Sequence, residues 1–171
     1  MNPRLRALVI IAAVVLVDRI TKLYIRMRVS PWDIHPVIPG FFNIIHTENP
    51  GAAFSMLSDT TAAWRAPLLI AVSIVVMSVI AWMLWRPGRG GMGDSLMLQT
   101  GLALVLGGAL GNFIDRVARG TVTDFLQFFF GSYEFPSFNA ADSAITIGAC
   151  LLILDLFKPK RAGSVSSQVT N

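Results

Sequence analysis

Residues 120–145 read GTVTDFLQFFFGSYEFPSFNAADSAI and hold two aspartates, Asp124 and Asp142. Most of their neighbours are apolar, and an ionised carboxylate is costly to keep among apolar groups. Two acids in such a setting need a stabilising or a functional reason. We interpret the rest of the chain as a framework that holds these two carboxylates near each other at one edge of a membrane.

The composition is that of a membrane protein. Of 171 residues, 54% are hydrophobic and only 14% are charged, which sets the chain apart from ordinary soluble domains. The net charge of +4 comes mainly from lysines and arginines beside apolar runs, which favours anionic lipid headgroups over nucleic acid as the counter-charge. The single cysteine, Cys150, excludes an intramolecular disulfide framework and a cysteine-based metal cluster.

Four apolar runs are long enough to cross a hydrocarbon core of roughly 30 Å. The predicted spans are residues 7–25, 66–85, 96–117 and 139–157. They form one predicted domain, 1–157, and the basic tail 158–171 is expected to be disordered. Since each span changes the side of the membrane, the segments 26–65 and 118–138 must lie on the same side.

The orientation of these spans does not follow from a simple count of flanking positive charges, because seven lysines and arginines lie on each side. When Arg19, Lys22 and Arg116 are set aside as belonging within helices, the termini come out cytoplasmic.

The segment 26–65 is predicted to contain more than a tether. Val37 to Ile45 combine residues that favour strands with a Pro-Gly turn signal, which predicts a short sheet at the membrane surface. Asn49-Pro50-Gly51 is a turn motif, and the small residues after it allow close approach of the backbone. The alternative interpretation is a simple loop before a short interfacial helix.

The third span has the densest group of polar residues. Gly108, Asn112 and Asp115 recur at i, i+4 and i+7 and so share one helix face. Gly107 and Gly111 form a Gly-x-x-x-Gly pair, which permits tight helix packing. The alternative to a functional group here is an interfacial pair of Asp115 with Arg116. In the first span, Asp18 and Lys22 are spaced as a helix ion pair, which predicts a structural role.

Each of the two opening aspartates also has a structural explanation of its own. Asp142 follows Asn139 by three residues, so the pair could cap a helix, and Asp124 could lie in a loop turn. Taken together, two carboxylates that flank one short segment in a poorly solvated site are expected to share a proton. One then serves as base and the other as acid.

Other catalytic motifs are poorly supported. Gly91 to Asp94 match the Gly-x-Gly-Asp signature of presenilin-type proteases, but they lie on the face opposite the other acids and are interpreted as a turn and helix cap. His35 and His46 are not spaced as metal ligands, and no nucleophile-elbow motif accompanies them.

Five ordered segments, covering nearly the whole chain, resemble those of the lipoprotein signal peptidase family, the signal peptidases II, which are bacterial aspartyl proteases. The segments are Asp18 with Lys22; Asn49, Gly51, Ala53 and Phe54; Gly107 to Arg116; Val122 to Phe125; and Phe138 to Ile145. One departure is Arg19, where the family usually has glutamine.

The resemblance implies a fold and a set of site residues. It implies a membrane bundle of four transmembrane helices with cytoplasmic termini, with a small β-sheet cradle and a short interfacial helix at the outer face. Asp124 and Asp142 would be the catalytic pair, supported structurally by Asp18, Lys22 and Asp115. The residues expected to line the site or position substrate are Asn49, Gly51, Gly108, Asn112, Arg116, Asn139 and Ala140.

The resemblance also implies the substrate and the setting. The substrate would be a prolipoprotein that carries a diacylglyceryl cysteine, cut on the N-terminal side of that cysteine, in the bacterial inner membrane. We expect no metal or other cofactor, no nucleic acid partner, contact with membrane lipids and a monomeric enzyme. The aromatic residues from Phe125 to Phe130 would form a lid or contact lipid tails.

Two other classes of function are weighed against this one. In a small proton-coupled carrier, intramembrane acids would relay ions, but the acids gather at one face and no inverted repeat is present. A purely structural membrane scaffold is the third alternative.

Overall fold

The computed structural model describes residues 2–51, 65–86 and 95–158. Their elements, in chain order, are α1 (Pro3–Arg28), β1 (His35–Ile38), β2 (Phe42–Asn49), α2 (Arg65–Trp85), α3 (Leu96–Arg119), β3 (Val122–Phe130), β4 (Tyr133–Phe138) and α4 (Ala140–Leu156). The predicted interfacial helix after Gly51, the turn at 91–94 and the tail from residue 159 onward fall outside the described residues.

Helix α3 is the centre of the bundle, since it packs against α1, α2 and α4. Its glycines allow the close approach that the sequence predicts. A Cβ added to Gly108 would lie 2.3 Å from the Ala141 carbonyl oxygen of α4, and one added to Gly107 would lie 2.9 Å from Val14 of α1. Only residues without side chains permit these distances, so the glycine face fixes where α4 lies against α3.

The four strands form one antiparallel sheet in the order β1-β2-β3-β4. The expected sheet at 37–45 is confirmed as β1 and β2. The aromatic run 125–130 belongs to β3, a central strand of the sheet, so the alternative of a loop turn at Asp124 is wrong. Residues that favour strands lie on both sides of the Gly131 turn. Those before the turn form β3, which pairs with β2 on one side and with β4 on the other.

The sheet brings the two segments expected on the same side into direct contact, because β2 belongs to the first and β3 to the second. A small apolar core, formed by Ile25 and Val29 at the end of α1 with Phe125 of β3, anchors the sheet to the helices. The N-terminal half of β3 is buried, while its last residue, Phe130, is exposed. The sheet therefore meets the bundle at the residues around Asp124.

Among the described residues, two helical segments are long and apolar enough to cross a membrane by length and composition, Pro67–Trp85 and Leu96–Arg119. Helix α1 is long enough but carries several charged residues, and α4 has 17 residues, which corresponds to roughly 26 Å of helix.

Candidate active site

Asp124 lies in the buried half of β3 and is 2% exposed. Its backbone pairs with Thr47 of β2. Each carboxylate oxygen accepts a hydrogen bond from an asparagine amide: Asn139 Nδ2 donates to Oδ1 at 2.7 Å, and Asn49 Nδ2 donates to Oδ2 at 3.0 Å. The carboxylate is thus held in one orientation by groups from two different elements.

The orientation of the Asn49 amide is set by the turn that follows it. Gly51 donates its backbone N–H to Asn49 Oδ1 at 2.9 Å, so the amide nitrogen is left to face Asp124. Gly51 has a φ of +102°, a conformation that residues with a Cβ rarely adopt. The predicted turn at Asn49-Pro50-Gly51 therefore positions a donor beside the carboxylate.

Asp142 lies in the first turn of α4. Its backbone N–H donates to Asn139 Oδ1 at 3.0 Å, and its Oδ2 accepts from the Asn139 backbone N–H at 3.2 Å. This reciprocal capping box confirms the predicted helix start. The other oxygen, Oδ1, accepts from Asn112 Nδ2 of α3 at 2.7 Å, and the residue remains half-buried. The cap and the candidate site thus share one carboxylate.

Asn139 joins the two carboxylates. Its side chain donates to Asp124 while it accepts from the backbone of Asp142. Its amide nitrogen also lies 3.3 Å from Asn112 Oδ1, which brings the α3 residue into the same network. Asn139 is fully buried, so these bonds form where little water competes for them. The structure therefore brings Asp124 and Asp142 into one hydrogen-bonded group, as the sequence predicts.

Burial is the main influence on the protonation of Asp124. It raises the pKa of this carboxyl group to about 6, because the charged form loses its hydration. The amides of Asn49 and Asn139 oppose the shift, whereas the nearby negative charge of Asp142 adds to it. A raised pKa next to a second carboxylate is typical of a pair that shares a proton.

The expected supporting residues form a buried ion cluster beneath the site. Lys22 Nζ lies 2.9 Å from Asp18 Oδ2 and 2.8 Å from Asp115 Oδ2, and all three side chains are fully buried. Lys22 also donates to Asn112 Oδ1 at 2.9 Å. Because an ammonium group can only donate, this bond leaves the Asn112 amide nitrogen to face Asp142. The cluster therefore links α1 to the candidate site.

Asp115 is paired with α1 and not with its neighbour in sequence. Besides Lys22, it contacts Arg19 Nη1 and accepts from Arg26 Nη2 at 2.9 Å. The alternative of an interfacial pair with Arg116 is therefore wrong. The helix places successive residues about 100° apart, so Asp115 faces α1 while the next side chain cannot.

The remaining predicted site residues lie around this group. Arg116 interacts electrostatically with Asp142 and Asp124, and more weakly with Asp115, and its buried Nε has no hydrogen-bond partner among the described residues. Ala140 opens α4 and packs against the core below the sheet. Gly108 faces the same turn of α4, where its missing side chain admits Ala141.

Sequence reasoning missed a second polar group next to Asp124. It consists of Arg26, His46, Glu48 and Thr123, joined by hydrogen bonds across α1, β2 and β3. A signal was present in the alternating residues 46–49, since a strand there places His46 and Glu48 on one face. The pairing of β2 with β3, which brings Thr123 opposite Glu48, has no sequence signal of its own.

Known proteins resemble this chain over nearly its whole length. Residues 10–158 match the family model for signal peptidase (SPase) II. Similar proteins include the lipoprotein signal peptidases of Solibacter usitatus, 44% identical over 95% of this chain and 98% of the relative, and of Pseudomonas syringae pv. tomato, 44% identical over 94% and 90%. That of Maridesulfovibrio salexigens is 38% identical over 94% of this chain and 100% of the relative.

The fold is also similar to solved structures. A bacterial membrane enzyme determined by the in meso method at 1.9 Å resolution superposes with a TM-score of 0.78, is 33% identical, and covers 91% of this chain and 94% of its own. A second structure of a bacterial membrane enzyme, at 2.3 Å resolution, superposes with a TM-score of 0.77 and is 32% identical in sequence. The match covers 92% of this chain and 94% of that one. From its sequence and its fold, the chain belongs to the signal peptidase II family, a family of aspartic-type peptidases.

Proposed function

We propose that this chain cleaves the signal peptide from diacylglyceryl-modified bacterial prolipoproteins, and that Asp124 and Asp142 are its catalytic pair. Family membership supports the activity. The observation that carries the catalytic assignment is the bridge through Asn139, which donates to one carboxylate and forms a capping box with the other. The cut would fall on the N-terminal side of the lipidated cysteine. The alternatives of a carrier and of a scaffold lack comparable support.

The mechanism follows from two carboxylates that share one proton. The ionised carboxylate removes a proton from water as the water attacks the scissile carbonyl. The protonated partner donates a hydrogen bond to the developing oxyanion and later protonates the leaving amine. The asparagine amides keep both carboxylates oriented throughout. No metal or other cofactor enters these steps, because two acids supply both the base and the acid.

The other site residues have supporting roles in this proposal. Asn49, Asn112 and Asn139 orient the carboxylates through the hydrogen bonds described above. The Arg116 guanidinium lies near both acids and is available to a substrate carbonyl. Gly51, Gly108 and Ala140 keep the backbone close enough to form the site.

We further propose that all four helices span the inner membrane as one domain, residues 1–157, with cytoplasmic termini and the site near the periplasmic face. Large apolar side chains on α1, α2 and α4 are more than half exposed, such as Leu16, Val75 and Ile153, which lipid would cover. The charged residues of α1 that would oppose insertion, Asp18 and Lys22, are paired inside the bundle.

Lipid contact is also proposed for the sheet. Phe128, Phe130, Phe135 and Phe138 line a groove of about 260 Å³ on β3 and β4. Phe130 and Phe135 are 58% and 44% exposed. We propose that lipid tails bind to this surface, which is the second of the two roles expected for the aromatic run. We also propose that the enzyme works as a monomer.

The test is cleavage of a synthetic diacylglyceryl-cysteine prolipoprotein by purified protein. We expect Asp124→Asn and Asp142→Asn each to reduce the rate by at least about 10³-fold, because neither variant can pass a proton between two carboxylates. Glu134→Gln is the matched control, since it neutralises an exposed carboxylate on β4 and should cleave at the wild-type rate. Cleavage by either aspartate variant at a near wild-type rate would show that the catalytic assignment is wrong.

A further inference from the structure

Glu48 of β2 lies at the protein surface and accepts hydrogen bonds from two threonine hydroxyls of the neighbouring segment. Its Oε2 accepts from Thr121 Oγ1 at 2.6 Å, and its Oε1 accepts from Thr123 Oγ1 at 3.0 Å. Arg119 Nη2 lies 3.7 Å from Oε1. Because Thr121 and Thr123 flank the start of β3, this carboxylate holds the end of β2 to the strand that carries Asp124.

His46 adds a link from Glu48 to the first helix. Its Nδ1 lies 2.8 Å from the Val29 carbonyl oxygen at the end of α1, and its Nε2 lies 3.1 Å from Glu48 Oε1. Both oxygens are acceptors. A neutral imidazole carries one N–H and can donate to only one of them, whereas the imidazolium donates to both. In either state the ring lies between the Val29 carbonyl group and the Glu48 carboxylate and joins the end of α1 to β2.

The location of His46 explains why such a link is useful. The register of β2 against β3 shifts between Ile44 and Thr47, so His46 lies in a bulge of the strand. A bulge interrupts the ladder and turns the following side chains. Of the residues that follow, Thr47 pairs with Asp124 and Asn49 donates its side-chain amide to the Asp124 carboxylate.

The network continues through Thr123 into the bundle. Arg26 Nε donates to Thr123 Oγ1 at 2.8 Å, and its Nη2 donates to Asp115 Oδ1 at 2.9 Å. Thr123 is fully buried and immediately precedes Asp124. The strand position that carries the carboxylate is thereby fixed from α1, α3 and β2 at once.

We propose that His46 and Glu48 form a clasp that holds the bulged strand in place and so positions Asn49 beside Asp124. The clasp rests on the proposed function, since its effect on the reaction passes through Asp124. Both clasp residues are positioning residues, because neither touches a carboxylate of the catalytic pair. The Asn49 amide must lie 3.0 Å from Asp124 Oδ2, and hydrogen bonds lose strength steeply as distance and angle worsen.

The groups around Glu48 favour its ionised form. Burial raises the pKa of Glu48, but hydrogen bonds from Thr121, His46 and Thr123 and the charge of Arg119 outweigh it and leave the pKa below its usual value. The permanent cations facing the clasp are Arg119 from α3 and Arg26 from α1, the latter through Thr123.

The experiment compares Glu48→Ala, Glu48→Gln and His46→Phe with wild type, using the same synthetic lipidated prolipoprotein. We expect Glu48→Ala and His46→Phe each to lower kcat about tenfold, the effect of misplacing one hydrogen bond, with KM changed less than about twofold. Glu48→Gln keeps a neutral acceptor and should lose less. The double variant should be no slower than the slower single one, because the two residues act as a unit.

The pH profile of kcat separates positioning from general damage. The Asn49 bond lowers the pKa of Asp124, so a misplaced Asn49 lets that pKa rise. In both Glu48→Ala and His46→Phe, the limb of the pH profile that depends on the ionisation of Asp124 should therefore move to higher pH. A merely structural loss would reduce the rate at every pH without moving the limb.

Glu134→Ala is the matched control, since Glu134 also accepts from a β3 side chain, Gln127 Nε2 at 2.7 Å, but on the other side of Asp124 from Thr123. The clasp is wrong if Glu48→Ala and His46→Phe keep wild-type kcat and profile, or if Glu134→Ala moves the limb equally. Asp124→Asn, run alongside, separates the two proposals: if that variant still cleaves, the catalytic assignment fails instead.

Discussion

Three asparagine side chains determine the environment of the two carboxylates. Asn49 and Asn139 donate to Asp124, and Asn112 donates to Asp142. Each amide has its oxygen bound by another donor: a backbone N–H for Asn49 and Asn139, and Lys22 for Asn112. None of the three can therefore rotate its amide without losing two hydrogen bonds. The pair of carboxylates is oriented before any substrate arrives, which lowers the cost of reaching the transition state.

The raised pKa of Asp124 predicts a pH dependence of stability. The folded state holds this proton up to a pH of about 6, whereas an aspartate with an ordinary pKa loses it near pH 3.8. Since the folded pKa is the higher one, the stabilisation is complete below pH 4 and is lost as pH rises to about 6. Between pH 4 and about pH 6, we expect the free energy of unfolding of the wild-type protein to decrease by up to about 3 kcal/mol more than that of Asp124→Asn.

Thermal unfolding in detergent between pH 4 and 7 measures that difference. The asparagine variant serves as the reference, because it carries no titrating group at this position and keeps the other carboxylates. A difference between the two proteins that stays constant across the range would contradict the prediction.

At the scale of the elements, α3 is the piece on which the others are assembled. Its glycines receive α1 and α4, and its polar face meets Lys22 on one side and Asp142 on the other. The sheet is joined to this bundle by Arg26, which bonds Asp115 of α3 and Thr123 of β3. A displacement of α1 would therefore change the positions of both carboxylates.

The buried ion cluster predicts unequal effects for two neighbouring cations of α1. Lys22→Met leaves Asp18 and Asp115 without their shared buried partner and should cost about 3–5 kcal/mol of stability. Arg19→Gln removes a cation that is 34% exposed and should cost less than about 1 kcal/mol. Thermal midpoints and the yield of folded protein give the comparison. Equal losses would show that the cluster does not depend on Lys22.

For the whole molecule, the proposed topology places the sheet and both carboxylates outside the cytoplasm. The sheet lies at one end of the bundle, where the end of α1 and the start of α4 meet β3. In this proposed topology, water needed for hydrolysis reaches that end, while the bundle keeps the carboxylates partly dehydrated, which strengthens their electrostatic interactions.

Accessibility of single cysteines checks this orientation. In a Cys150→Ala background, we expect Ser132→Cys, in the exposed turn between β3 and β4, to react with a membrane-impermeant maleimide on intact spheroplasts. Lys158→Cys, exposed at the end of α4, should react only after the membrane is opened. The reverse pattern would mean that the proposed topology is inverted.

How far the sequence predicts the site differs from residue to residue. Helix periodicity placed Gly108, Asn112 and Asp115 on one face, and local spacing predicted the cap at Asn139, because both depend on residues at most a few turns apart. The partners of Asp115 and the strand that carries Asp124 were not predicted, since both depend on contacts between distant parts of the chain. A short apolar run fits a strand, a lid or a lipid contact equally well.

By itself, the sequence determined a membrane protein with two aspartates in an apolar setting, the helices, and a resemblance to one family. These features follow from composition and local patterns. Only the tertiary structure decided that Asn139 bridges the two carboxylates, that Lys22 orients Asn112, and that His46 and Glu48 meet β3 beside Asp124. The physical reason is that hydrogen bonds and ion pairs between elements require distances that packing alone sets, and glycine-mediated packing of α3 sets them here.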